Sequence, residues 1–314
     1  MIGRPHNVIA LLTLAASATV LSAGDLPSGE RFRARTLTFP YTSGAIYAMP
    51  HEKLTLALTA PATQLFTIGA PQGALTATGP NRWVWEAPGD KGRYPIEVRN
   101  PAGRKVMDFS VFVMVPATEV QNGFLNGFEI GHYPAAPSKR TQAYVPPKGF
   151  IEVTRDNEDT KISPHFRLKQ FLTKQKSGYP KYLVLDERLI VLLEGVGAAL
   201  EPLGYNADDI FIMSGYRTPF YNKAIGDTPL SMHQWGRAAD IFLDKNHDGM
   251  MDDFNKDKAI DRQDAVALAN VLEAMAATAE WSPFIGGIGI YGATAAHGPF
   301  VHVDTRPWKA RWSE

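Results

Sequence analysis

Cysteine is absent from the 314-residue chain. That excludes disulfides and thiol nucleophiles and leaves burial of a core as the source of stability, a composition compatible with an exported bacterial protein. An excess of charge of either sign is also missing, since 32 basic and 32 acidic residues cancel. Such a balance offers no electrostatic footing for nucleic acid. Long hydrophobic runs are lacking too: the apolar stretch from Val8 to Val20 is about thirteen residues, where a membrane span needs roughly twenty. With Arg4 before it and Ser22 and Ala23 before Gly24, residues 1–23 read as a secretory signal peptide, and the expected location is the periplasm or cell envelope. The approach Leu21-Ser-Ala-Gly24 lacks the cysteine that a lipid anchor requires, so no anchor and no membrane span are expected after its removal.

The remaining length allows about two domains. Residues 24–117 alternate short apolar runs with turns: Arg33 to Phe39, Lys53 to Leu58, Arg82 to Trp85, Tyr94 to Val98 and Val106 to Met114. Strands at this spacing predict an immunoglobulin-like β-sandwich, with Trp83 and Trp85 in or over its core. Residues 118–160 hold too much Pro and Gly for long helices, and their aromatic residues Phe124, Phe128, Tyr133 and Tyr144 predict a linker packed on a neighbour. Residues 161–314 read as an α+β domain. Ser163-Pro164 predicts a helix start, Glu187 to Leu203 a helix stopped at Gly204, Pro219 to Ile225 a short helix, and Asp261 the cap of a helix from Arg262 to about Glu280.

The chemistry concentrates in Ser231-Met-His233-Gln-Trp-Gly236-Arg-Ala238-Ala-Asp240 and in Phe300-Val-His302-Val-Asp304. Asp240 and His302 fall in short period-two segments that read as strands, with a loop carrying His233 to them. Two imidazoles and one carboxylate with a position left open is the ligand count of a catalytic zinc. Singly, each residue reads as well as a hydrogen-bonded core group. The full string Ser-x-His-x-x-Gly-x-Ala-x-Asp, preceded by Ser214-Gly215-Tyr216-Arg217 and followed by a late His, resembles the zinc D-alanyl-D-alanine carboxypeptidases and related LAS-type peptidoglycan peptidases.

That resemblance, confined to about residues 160–310, implies zinc ligation by His233, Asp240 and His302. It implies a catalytic role for His297, while the Glu that another branch of the family places three residues before the last ligand is here Pro299. It gives Arg217 a hold on a substrate carbonyl or carboxylate, and puts Ser231 near the metal. Asp304, on the His302 face by alternation, is either a partner that orients a ligand imidazole or a strand-end cap. Tyr221 either lines the cleft or packs. The implied activity is hydrolysis of an amide in peptidoglycan stem peptides or cross-links, as a D,D-carboxypeptidase or D,D-endopeptidase. An L-Ala-D-Glu peptidase and a non-catalytic wall-binding module that retains the zinc fold are the alternatives.

Directly downstream, Asp244-x-Asn246-x-Asp248-Gly249 reproduces positions one, three, five and six of a calcium loop, with the Met250 carbonyl at seven and Asp252 at nine. Asn255 replaces the bidentate Glu at twelve. A weak calcium site and an acidic surface turn both fit.

Overall fold

The computed structural model describes residues 30–314 apart from Ala62, so the signal-peptide segment lies outside the described residues. The chain is mixed α+β, with several small sheets and few helices. Among the described residues no helix is long and apolar enough to cross a membrane.

The N-terminal part forms two sheets. One runs Leu37–Phe39, Arg31–Ala34, Lys53–Thr59, Arg82–Glu86, Ala74–Gly79; the other runs Ser43–Ala48, Lys105–Val113, Gly92–Arg99, Thr67–Gly69. Alternation turns Leu54, Leu56 and Leu58 inward from a single strand. They meet Phe32, Trp83 and Trp85 of their own sheet and Ile46, Ile96, Phe109 and Val111 of the other in one apolar core. The segment expected as one strand from Arg33 to Phe39 is instead a tight hairpin, turned at Arg35 with φ 53°. Its apolar residues explain this, because Ala34 and Phe39 are both buried yet differ in parity, which no straight strand allows.

The C-terminal part is built on a five-stranded sheet in the order Ile210–Ser214, Ala238–Leu243, Phe300–Asp304, Gly287–Tyr291, Ala310–Ser313. It is antiparallel except for its last pair, Gly287–Tyr291 with Ala310–Ser313, which is parallel. Helices α1 (Glu187–Leu200) and α3 (Arg262–Ala276) pack through Leu189, Leu193, Leu268 and Leu272 into the core that Ile241, Val301 and Val303 share. Both stop short of expectation. After α1, Pro202 sits in a 3-10 turn, Glu201–Leu203, that closes on Gly204 at φ 86°. α3 is capped at Asp261, whose side chain accepts from the Gln263 amide. It ends at Ala276, where the Thr278 hydroxyl takes the Met275 carbonyl. Pro219–Ala224 forms the short helix α2, its amide end bonded to Thr218.

The helix expected from Ser163 does not form; only Leu168–Phe171 is helical, as a 3-10 turn. The Ile162 amide donates to the Phe166 carbonyl and Ser163 Oγ accepts from the Phe166 amide, which folds the segment back on itself. Phe166, Leu168 and Phe171 are buried all the same. Between the two parts, Val115–Pro116, Gly149–Val153 and Lys181–Leu183 make a three-stranded sheet, and Tyr144 and Tyr133 pack edge-on against Trp235.

Glu187, the first residue of α1, joins the halves. Its Oε1 accepts from the Tyr47 amide at 3.1 Å and lies 3.5 Å from Arg35. Burial first, then the neighbouring Asp186, raises its carboxyl to about 7 against the partial relief from Arg35. A carboxyl raised above its unfolded value stabilises the fold fully below pH 4.5, and that contribution is lost as pH rises through 7. Urea unfolding of wild type is therefore expected to lose roughly 1–3 kcal/mol between pH 4.5 and 8 relative to Glu187→Gln. Equal pH dependence in the two proteins would remove Glu187 as the cause.

Candidate metal centre

One transverse row of the C-terminal sheet reads Ser214, Asp240, His302, Gly289, Trp312. Residues of one row project to the same face, here the face away from Val301 and Val303. His233 reaches that face from a 3-10 turn, Met232–Trp235, which Ser231 precedes and Gly236 ends at φ 64°. A Cβ on Gly236 would lie 2.2 Å from the Val184 carbonyl oxygen, so the turn that presents His233 needs glycine there.

The three side chains converge. His233 Nε2 lies 3.1 Å from Asp240 Oδ1 and 3.1 Å from His302 Nδ1, and His302 Nδ1 lies 3.0 Å from the same Oδ1. All three residues are buried. The far side of each ring settles which atoms these are. His233 Nδ1 is 2.6 Å from the Gly215 carbonyl, which only accepts, so this nitrogen carries the proton. His302 Nε2 donates to Asp304 Oδ2 at 3.0 Å. In their neutral forms both rings therefore turn a lone pair toward a carboxylate oxygen. Three acceptors this close repel one another unless a cation lies among them. Tetrahedral zinc bonds of roughly 2.0–2.1 Å put ligand atoms about 3.3 Å apart, and this donor set fits that ion. Among the described residues it is the group of His and acidic side chains that could hold a metal.

The surrounding charges are arranged to keep this set available. Asp304 is fully buried and accepts from Arg306 Nε at 2.8 Å, from the Arg306 amide and from the Gly287 amide. Burial alone would raise its carboxyl; the hydrogen bonds from His302 and Arg306 outweigh that and hold it below the usual range. The same contest at Asp240, burial against His233, His302 and Arg217, ends well below the usual carboxylate value. Burial holds His233 down, toward the neutral form that binds metal. At His302 burial is overcome by the bonds to Asp240 and Asp304, which raise the ring to about 9, so without a cation a proton takes the cation's place.

Glycine supplies the room. A Cβ on Gly287 would meet the Asp304 carboxylate at 2.2 Å, and one on Gly289 would meet the Trp312 ring at 2.4 Å. The glycines of this strand thus admit the carboxylate behind His302 and the indole, whose centroid is 5.0 Å from the His302 ring. Trp312 and Arg306, near the C-terminus, pack on the site itself.

Arg217 stands beside the triad with its guanidinium fully used. Nε donates to Ser214 Oγ at 2.9 Å, Nη1 to Asp227 Oδ2 at 2.6 Å, and Nη2 to Asp240 Oδ2. Its backbone amide bonds the His233 carbonyl. Ser214 and Gly215 belong to the string that carries the resemblance, but their contacts here, and that of Asp227, come from the loop geometry. Tyr133, from the linker region, bonds the Gln234 carbonyl next to His233 and lies 3.2 Å from the Tyr216 hydroxyl.

The other expected residues lie as follows. Ser231 is buried at the start of the His233 turn and its hydroxyl caps nothing. His297 packs edge-on against Phe300, two positions from His302, and its Nδ1 bonds the Gly298 carbonyl. Tyr221 lies on α2 with its amide bonded to Thr218 Oγ1. His165, away from this group, lies with Nδ1 2.7 Å from Glu194 Oε2. In the acidic loop, Asp244 accepts from the amides of Asp248 and Gly249, Asn246 from Asp248, Asp248 from Met250, and Asp252 from Lys245. The pattern recurs immediately after it. Asp253 accepts from Asp257 and Lys258, Asn255 from Asp257, and Asp257 from Ala259, with the buried Asp264 twelfth in line. The repeat Asp-x-Asn-x-Asp was there to be seen in the sequence.

No curated protein matches the chain. Residues 164–270 match the family model of Peptidase M15, the zinc D-Ala-D-Ala carboxypeptidase type, a span that contains Arg217, His233 and Asp240 and ends before His302. The sheet supplies what lies beyond that span, by pairing Asp240 directly with His302. The segment 164–270 is thus similar to the peptidase M15 family, a family of hydrolytic metallopeptidases.

Proposed function

We propose that the C-terminal domain is a zinc peptidase that hydrolyses amide bonds of peptidoglycan stem peptides or cross-links, as a D,D-carboxypeptidase or D,D-endopeptidase. The observation that carries this reading is the convergence of three lone-pair atoms, from His233, Asp240 and His302, within 3.1 Å of one another. The chemistry a zinc ion supplies in such a position is activation of water near neutral pH and polarisation of the scissile carbonyl. Asp304 fixes the tautomer of His302 and Gly215 that of His233, so both rings stay aimed without reorganisation. Arg217 orients Asp240. Its outward nitrogen turns to a substrate carboxylate or oxyanion when Asp227 gives way. His297, on the loop beside Phe300, moves the proton to the leaving amine.

For the N-terminal residues 24–117 the two sheets with one shared core support an immunoglobulin-like sandwich, and the signal-like residues 1–23 support export to the cell envelope. The test of the activity is mass analysis of defined muropeptides incubated with zinc-loaded protein. Loss of a terminal D-Ala, or conversion of D,D-linked dimers to monomers, is the expected result. Cleavage between L-Ala and D-Glu reassigns the bond, and no cleavage by fully loaded protein overturns the reading.

The twin acidic loops, with their matching hydrogen bonds, support a calcium role next to the metal strand. Calcium added to zinc-loaded protein is expected to raise its melting temperature by several degrees, and Asp248→Ala with Asp257→Ala to abolish the shift. A melting temperature indifferent to calcium makes these loops acidic turns.

A further inference from the structure

The outer face of the N-terminal sheet is basic and threonine-rich, although the chain as a whole is neutral. One row across its five strands reads Thr38, Arg33, Ala57, Arg82, Gly79. Arg33 and Arg82 thus flank Ala57 from either side, two strand spacings or about 10 Å apart. Above Ala57, Thr55 and Val84 lies a cavity of about 240 Å³, which Arg33, Arg35, Arg82 and Thr78 also line. Arg35 is engaged by Glu52. Among the described residues Arg33 and Arg82 have no carboxylate partner and no side-chain hydrogen bond. The acidic residue on these strands that shares the face, Glu86, sits at one end and pairs with Lys53 at 3.6 Å. Thr38, Thr55, Thr59 and Thr76 are exposed around the cavity.

Two unpaired guanidinium groups at that spacing, over a small apolar floor rimmed by hydroxyls, suit successive charges on a chain better than one small anion. Trp83 borders the cavity but, like Trp85, is buried, so the face offers no exposed aromatic platform on which nucleobases could stack. The exposed large apolar residues lie on other segments, so nothing on it would enter a lipid bilayer. We propose that this face binds an anionic glycopolymer, with Arg33 and Arg82 on its phosphates or carboxylates and the threonines on its hydroxyls. The choice of a wall polymer rests on the peptidase reading above; the binding itself is read without turnover.

The experiment titrates the full chain at low and moderate salt with a poly(glycerol phosphate) chain and, separately, a polyglucuronate chain. Binding to either is expected, falling steeply with salt, and the preferred polymer says whether phosphate or carboxylate is the recognised group. Arg33→Gln with Arg82→Gln is expected to weaken it at least tenfold and flatten the salt dependence. Lys139→Gln with Lys148→Gln, the same charge change elsewhere, leaves it intact. The proposal is overturned by absence of binding to both polymers, by an unchanged affinity in the arginine variant, by an equal loss in the lysine variant, or by tighter binding to polyuridylate or anionic vesicles. Because affinity and muropeptide cleavage are measured separately, failure of one leaves the other standing.

Discussion

His302→Ala is expected to lose its metal and its turnover together: from about one zinc per chain to almost none after dialysis, with peptidase activity down by ~10³-fold or more. The ring supplies one of three ligand atoms, at 3.0 Å from Asp240 Oδ1 and 3.1 Å from His233 Nε2. Two remaining ligands hold a divalent ion far more weakly. The fold should survive, because Asp304 keeps Arg306 and the Gly287 amide as partners. Full occupancy in the folded variant would contradict the ligand assignment. In wild type, metal uptake has a sign with pH. Metal-free His302 is protonated below about 9 and must give up that proton to bind. Affinity should therefore fall roughly tenfold for each pH unit below 9, as a chelator-competition series would measure.

Asp304→Asn is expected to lower zinc affinity by about 10–100-fold while leaving every ligand in place. The carboxylate accepts from His302 Nε2 at 3.0 Å and is itself held by Arg306. Its charge keeps the imidazole basic at Nδ1 and makes one tautomer obligatory. An asparagine oxygen still accepts that bond but without the charge, and the part-buried Arg306 head loses its counter-ion. The separating measurement is chelator competition on folded variant against wild type. If affinity is unchanged and only the melting temperature falls, Asp304 is a structural partner of Arg306 and does not tune the site.

The geometry also shows what single residues do not record. Arg217, to which the resemblance gives a hold on substrate, has its guanidinium nitrogens on Ser214, Asp227 and Asp240, so a substrate group would have to displace Asp227. Gly287 and Gly289 admit the Asp304 carboxylate and the Trp312 ring.

What the amino-acid order determined alone is local. Alternation wrote the strands that carry Asp240 and His302, Asp261 announced α3, and the string around His233 and Asp240 with a late His pointed, through its resemblance, to a group that could bind a metal. Short-range signals misled where a longer contact competed. Ser163-Pro164 has the form of a helix start, yet the chain there folds back to pair Ile162 with Phe166. The run Arg33 to Phe39 has strand composition, yet both Ala34 and Phe39 must face one core and the backbone turns at Arg35. Tertiary structure alone decided that Asp240 and His302 stand opposite in adjacent strands, that a backbone carbonyl and a buried carboxylate choose the imidazole tautomers, and that two arginines line up across a sheet. Register between distant segments is set by which side chains can share a core, and no spacing along one chain records it.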